Sequence, residues 1–148
     1  MKLFRMELTP PLAAISAALM LPLAGFCGFK YQTTLTVQGY SKSSTLQNFP
    51  VLVRLSTAIG GFDYKDCANG ANIVFTDAND ALLQHEIDTW DASGISLVWV
   101  NVASLAKNAV FYMYFDGTAS EANVSTAAWN SDYVGVWHMS EASGDVAD

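Results

Sequence analysis

The 148-residue sequence has only two histidines and two cysteines, and these shortages exclude several kinds of site chemistry. It contains no C-x-x-C, H-E-x-x-H or G-x-S-x-G motif and no phosphate-binding glycine loop. Nucleophilic catalysis needs a nucleophile with an adjacent base, and no such set of residues is recognisable here. The sequence therefore predicts no catalytic residues.

Basic residues are also few, with seven Lys and Arg against 14 Asp and Glu, which gives a formal net charge of −7. Those beyond position 25 are scattered singly. They are Lys30, Lys42, Arg54, Lys65 and Lys107. Binding to a phosphate backbone depends on clustered Lys and Arg, so we do not expect a nucleic-acid partner.

The first 25 residues have the features of a helical signal peptide. Lys2 and Arg5 form a basic start, an apolar run follows over residues 12–24, and small residues stand at its end. The apolar run is shorter than the roughly 20 residues of a membrane-spanning helix. The sequence predicts an exported protein located in the periplasm, on the cell surface or outside the cell. An uncleaved anchor is the alternative, and membrane contact is expected only through this segment.

Cys27 and Cys67 are the two cysteines of the chain. Cys27 lies just after the leader, where a lipid-modified cysteine is found, but Phe26 is larger than the residue that normally precedes such a site. In an exported protein the two cysteines could form one disulfide, provided that cleavage leaves Cys27 in place.

Six short runs of apolar, aromatic and β-branched residues predict strands, and no segment has a sustained helical period. They span residues 31–38, 49–55, 72–76, 82–90, 95–102 and 110–115. Residues 31–38 and 82–90 alternate in polarity, as half-buried strands do. Residues 56–70 read as a long connection with one helical turn near residues 64–68. With turns every eight to twelve residues, the pattern predicts an all-β fold, an antiparallel β-sandwich of immunoglobulin or jelly-roll type.

Polar and small residues after Gly117 divide the chain again. We predict a linker over residues 121–131 and the truncated start of a second domain over residues 132–148, beginning with the apolar strand of residues 134–139. His138 lies in this second part and is expected to be structural.

Several motifs occur in order at regular spacing. They are Phe29-Lys30-Tyr31, residues 48–55, 70–77, 83–90, 98–100 and 112–117. Over residues 28–120 the chain resembles the bacterial and archaeal domain of unknown function numbered 2341. Residues 133–148 are similar to the start of a concanavalin A-like (laminin-G-like) lectin domain. Three residues depart from the family pattern: Gln32, Asn72 and His85. The resemblance implies a surface or periplasmic module without an established activity.

Glu86, Asp88 and Trp90 form the first candidate site, because alternate residues of a strand share one face. The two carboxylates are expected roughly 6.5–7 Å apart along the strand, near the separation found in glycosidases, and Trp90 could stack on a sugar. We interpret them as a candidate ligand-binding face. An ordinary polar outer face with Trp90 at its edge explains the same residues.

A second, weaker candidate is a calcium site formed by Asp77, Asn79 and Asp80, whose oxygen atoms suit a hard cation. The stretch is much shorter than an EF-hand loop, and a tight turn explains it equally well. No other metal or cofactor is predicted. His85 shares a face with Leu83 and Ile87 and is expected in the core.

Together these patterns predict a non-enzymatic exported β-sandwich module with a structural, adhesive or carbohydrate-binding role. Its expected partners are carbohydrate or another envelope protein. Two alternatives stay open: an accessory domain of a polysaccharide-degrading enzyme, and a periplasmic part of an ExbB/TolQ-type biopolymer transport system.

Overall fold

The computed structural model describes residues 28–117 and 128–138. Within these residues the chain forms seven strands and two short 3-10 turns, and no α-helix. The strands are β1 (Phe29–Thr36), β2 (Leu46–Leu55), β3 (Val74–Thr76), β4 (Leu82–Leu83), β5 (His85–Thr89), β6 (Ser96–Leu105) and β7 (Val110–Gly117). The 3-10 turns cover Tyr64–Asp66 and Ala68–Gly70. The all-β class predicted from the alternating runs is confirmed.

The strands form two antiparallel sheets, one in the order β1-β7-β3-β4 and the other in the order β2-β6-β5. In the three-stranded sheet, β2 pairs with β6 from Leu46↔Leu105 to Leu55↔Ser96. None of the described helical turns is long and apolar enough to cross a membrane.

The predicted strand over residues 82–90 is in fact two strands that belong to different sheets. β4 pairs with β3, whereas β5 pairs with β6. Between them, the Gln84 carbonyl accepts a hydrogen bond from the Asn101 amide at 2.8 Å. A strand alternates in polarity in the same way whichever sheet it joins. The sequence pattern of residues 82–90 therefore gives no sign of the crossing between the sheets.

One hydrophobic core receives side chains from both sheets. Phe75 on β3 makes an edge-on ring contact with His85 on β5, with the ring centroids 5.1 Å apart, and so joins the two sheets. The fully buried side chains include Leu35, Val51, Val53, Leu55, Phe75, Val98, Val100, Phe111, Met113 and Phe115.

The connection between β2 and β3 is anchored to this core through Tyr64. Its hydroxyl donates to the Leu55 carbonyl at 2.8 Å and accepts from the Ser96 amide at 3.1 Å. Phe62 packs edge-on against both Tyr64 and Phe115. The connection is therefore part of the folded unit. A buried tyrosine hydroxyl needs hydrogen-bond partners, and that of Tyr64 finds two of them on β2 and β6.

A register shift interrupts β5 at Asp88. Ile87 pairs with Val98 and Thr89 pairs with Leu97, so that Asp88 is an extra residue on this strand. Such a bulge changes which face the subsequent side chains occupy. Trp90 consequently packs against the core and meets Tyr64 edge-on at 5.3 Å.

Candidate functional site

The outer face of the three-stranded sheet carries a cluster of polar and aromatic side chains. The buried partners along β6 are Val98 and Val100, so the alternate residues Trp99 and Asn101 lie on the opposite, outer face. Glu86 pairs with Trp99 across β5 and β6. We call the set Glu86, Asp88, Trp99, Trp129 and His138 the carboxylate cluster.

Glu86 is held by two residues from the segment of residues 128–138. Its Oε2 accepts a hydrogen bond from the Trp129 indole at 2.7 Å, and its Oε1 lies 2.8 Å from His138 Nε2. The Glu86 side chain keeps only 12% of its surface exposed. Burial at this level favours a carboxylate that has hydrogen-bond partners, and both oxygens have one.

Asp88 is held in a similar way from two sides. Its Oδ2 accepts from the Trp99 indole at 3.3 Å and lies 3.3 Å from His138 Nδ1. The His138 ring is therefore placed between the two carboxylates, with one nitrogen facing each of them. The extra residue at Asp88 in β5 contributes the local bend at this point.

Aromatic contacts hold the same segment against the sheet. The rings of Trp129 and Trp99 lie 5.1 Å apart, and Tyr133 packs on Trp129 at 5.2 Å with an interplanar angle of 70°. The adjacent Ala128 is fully buried, and its carbonyl accepts from the Asn101 side-chain amide at 3.1 Å. Each aromatic pair contributes roughly 0.5–1.5 kcal/mol beyond area burial.

This geometry is suited to a contact between two parts of the chain. A catalytic histidine needs one nitrogen for its orienting carboxylate and the other for the nucleophile, whereas both nitrogens of His138 face carboxylates. The described residues contain no group of three His, Cys, Asp or Glu able to hold a metal ion.

The structure brings together two of the three residues of the first predicted site. Glu86 and Asp88 share the cluster, whereas Trp90 lies against the core beside Tyr64. The outward-facing row predicted for Glu86, Asp88 and Trp90 therefore ends at the bulge. The extra residue turns the side chains that follow it to the other face of the sheet, and Trp90 lies on the core side.

The residues of the second predicted site form the turn between β3 and β4. The Asp77 carboxylate accepts from the amides of Asn79 at 2.8 Å and Ala81 at 2.9 Å, which is a turn-stabilising arrangement. Asp80 has a positive φ of 63° and accepts from the Tyr114 hydroxyl at 3.4 Å. These contacts account for Asp77 and Asp80 as residues that stabilise the turn.

Cys67 is fully buried, and its thiol donates to the Asp63 carbonyl at 3.5 Å. Burial raises the pKa of this thiol to about 12, and the nearby Asp66 carboxylate adds to the effect. The reactive thiolate is therefore scarce at neutral pH. Cys27 lies outside the described residues, so the disulfide stays a prediction.

Sequence reasoning missed Trp99, Trp129 and His138 as members of the carboxylate cluster. The sequence offers one indication of a packed residue in this region. Trp129 is a large aromatic residue at the end of a segment otherwise made of small and polar residues. A buried role for such a residue can be suspected from composition, but its partner cannot.

Comparison with protein-family models, curated proteins and solved structures finds no match for this chain. The resemblance to the domain of unknown function numbered 2341, and to a lectin-like second domain, stays a prediction.

Proposed function

We propose that this chain is a non-enzymatic β-sandwich module of an exported protein, and that its β domain acts as a support that holds the segment of residues 128–138. The observation that carries this proposal is the engagement of Glu86 and Asp88 by Trp129 and His138, residues more than forty positions later in the sequence. A face that is covered in this way is used for contact within the protein.

Several features of the described residues support the sandwich and the structural role. Phe75 and His85 bring the two sheets into contact, and the buried side chains of both sheets form one cluster. A glycosidase needs its two carboxylates open to the scissile bond, with one of them protonated as an acid. Here both are mostly covered and hydrogen-bonded to the protein's own side chains.

Export is the second part of the proposal, and the leader of residues 1–25 supports it. Its removal leaves a net charge of −8, since the leader carries two basic residues and one acidic residue. An acidic module of this kind would act in the periplasm, on the cell surface or outside the cell. Its proposed partner is another envelope protein, and carbohydrate is the alternative.

Trp129→Ala tests the support role, because it removes both the indole donor to Glu86 and the ring packed at a tilt against Trp99. We expect residues 128–138 to be released at a cost of about 2 kcal/mol, which is roughly a thirtyfold loss of protection. The measurement is amide hydrogen exchange at Asp132 and Tyr133, whose amides bond to Asn130.

Trp137→Ala is the matched control, because Trp137 lies in the same segment but is 58% exposed. Exchange at Asp132 and Tyr133 should change little in this variant, and amides of β6 should keep their protection in both variants. Equal protection of the segment in the Trp129→Ala variant and the unsubstituted protein would contradict the support role.

A glycan array tests the alternative role at the same face. We expect Glu86→Gln and Asp88→Asn to leave any glycan signal unchanged, since the carboxylates are turned to Trp129 and His138. Loss of a glycan signal in these variants, with the fold confirmed by circular dichroism, would favour a carbohydrate-binding site instead.

A further inference from the structure

We propose that two copies of this chain associate through the outer edge of β1, so that their four-stranded sheets continue into one another. This edge is separate from the face that holds residues 128–138, and the inference does not depend on the support role. It starts from a comparison of the sheet edges, which are β1 and β4 in one sheet and β2 and β5 in the other.

The edges formed by β4, β5 and β2 carry features that hinder pairing with a further strand. β4 has only 2 residues, β5 is interrupted by the bulge at Asp88, and β2 contains Pro50, which has no N–H to donate. β1, in contrast, runs over the 8 residues of Phe29–Thr36 without proline, glycine or a register shift. Among the described strands, β1 is therefore the edge that another chain can extend.

The register of β1 shows which of its backbone groups point to the outer edge. The Val37 amide donates to the Ala109 carbonyl at 2.9 Å, and this pair continues the register in which Leu35 lies opposite Phe111. In an antiparallel ladder, residues that bond to the neighbouring strand alternate with residues whose N–H and C=O point away from it. The odd-numbered residues of β1 therefore bond to β7. The groups that point to the outer edge belong to Lys30, Gln32, Thr34 and Thr36.

The long side chains of these residues do not cover the edge. The Lys30 ammonium donates to the Asp116 carboxylate at 2.7 Å, and the Gln32 amide donates to the Tyr114 hydroxyl at 2.7 Å. Both partners lie on β7, so the two side chains extend over the neighbouring strand. Among the described residues, no backbone hydrogen bond from a loop or turn reaches the four outward residues. Their N–H and C=O groups are thus accessible to a further strand.

A second copy fits this edge because β1 is complementary to itself in the antiparallel direction. If Lys30 lies opposite Thr36 of the second copy, Gln32 lies opposite Thr34, and each such pair exchanges two backbone hydrogen bonds. All the outward residues of both strands then have partners. Thr33 meets its own counterpart on the two-fold axis, and threonine pairs across antiparallel strands are stabilising. The result is a closed dimer with two-fold symmetry.

Charge also favours a second copy at this strand. The formal net charge of −7 opposes the association of two copies at acidic parts of their surfaces. β1 contains no acidic residue, and its one basic residue, Lys30, lies opposite an uncharged threonine in the proposed register. Pairing also places a further strand beside Tyr31, whose side chain is 44% exposed and packs on Phe115.

The first experiment is sedimentation equilibrium of the full chain at increasing concentration. An interface of one strand is small, so we expect a weak dimer, with an average mass that approaches twice that of the monomer between about 10 μM and about 1 mM. Amide hydrogen exchange at the two concentrations locates the contact. The amides of the even-numbered residues 30–36 should gain roughly fivefold protection at the higher concentration. Those of the odd-numbered residues 31–35, which already bond to β7, should keep theirs.

Thr34→Pro tests the pairing directly, because it removes an outward N–H that the ladder with β7 does not use. We expect this variant to dimerise at least about tenfold more weakly, since the amide is lost from both copies. Thr34→Val is the matched control, because valine keeps the backbone amide and the β-branched shape. It should dimerise like the unsubstituted protein, and circular dichroism checks that both variants are folded.

A chain that remains a monomer over this range would overturn the proposal, as would a dimer that Thr34→Pro leaves unchanged. If the proline variant does not fold, the exchange pattern of the unsubstituted protein decides. Protection that rises equally at odd-numbered and even-numbered residues, or at neither, would contradict pairing through β1.

Discussion

Replacing Phe75 by alanine is expected to lower the free energy of unfolding by about 3–5 kcal/mol. The Phe75 side chain is fully buried on β3 and contacts Phe111 in its own sheet and His85 in the other. Its removal costs the transfer free energy of a large ring and leaves a cavity between the two sheets. Urea denaturation followed by circular dichroism measures the change.

Thr34→Ala is the control for this experiment, because Thr34 is exposed on the edge strand β1. A surface substitution of this kind should change stability by no more than about 0.5 kcal/mol. A Phe75→Ala variant that loses less than about 1 kcal/mol would show that the two sheets do not pack through this residue.

The second large effect concerns acid stability and His85. This side chain is buried, its Nε2 has no hydrogen-bond partner among the described residues, and burial lowers its pKa to about 4. The hydrogen bond to the Leu83 backbone opposes this shift only in part. The unfolded chain, in contrast, binds a proton at the ordinary histidine pKa of about 6.5.

Between these two pKa values His85 binds a proton in the unfolded state but not in the folded state, so the free energy of unfolding falls as the pH falls. The contribution is fully present above pH of about 6.5 and decreases by roughly 3 kcal/mol as the pH approaches 4. The free energy of unfolding measured at intervals between pH 7 and pH 4.5 should show this slope.

His85→Phe keeps a ring against Phe75 and removes the titrating group. Carboxylates also contribute to acid sensitivity, so the informative quantity is the difference between the two profiles. We expect the variant to lose most of the slope between pH 6.5 and pH 4.5. Parallel profiles would show that His85 takes up its proton without cost in the folded state.

The sequence predicted the strands well because their physical signal is local. In the run of residues 31–38, for example, Leu35 and Val37 are buried whereas Thr34 and Gln38 are exposed, and such alternation can be read without knowing any partner. The helical turn expected near residues 64–68 matches two 3-10 turns in that region.

The features that the sequence did not predict depend on contacts between distant residues. The crossing from one sheet to the other at Gln84 leaves the alternation unchanged, and the bulge at Asp88 moves Trp90 to the core without any local signal. The partnership of Glu86 with Trp129 and His138 is also invisible locally, because more than forty residues separate them.

The most direct measurement of the support role is a nuclear Overhauser experiment on the aromatic protons of the full chain in solution. With the Trp99 and Trp129 rings 5.1 Å apart, and Trp129 and Tyr133 5.2 Å apart, cross-peaks should join Trp99 to Trp129 and Trp129 to Tyr133. Cross-peaks between Trp129 and Tyr133 without any to Trp99 would mean that the segment keeps its own turn but does not rest on the sheet, and the proposed role would then be wrong.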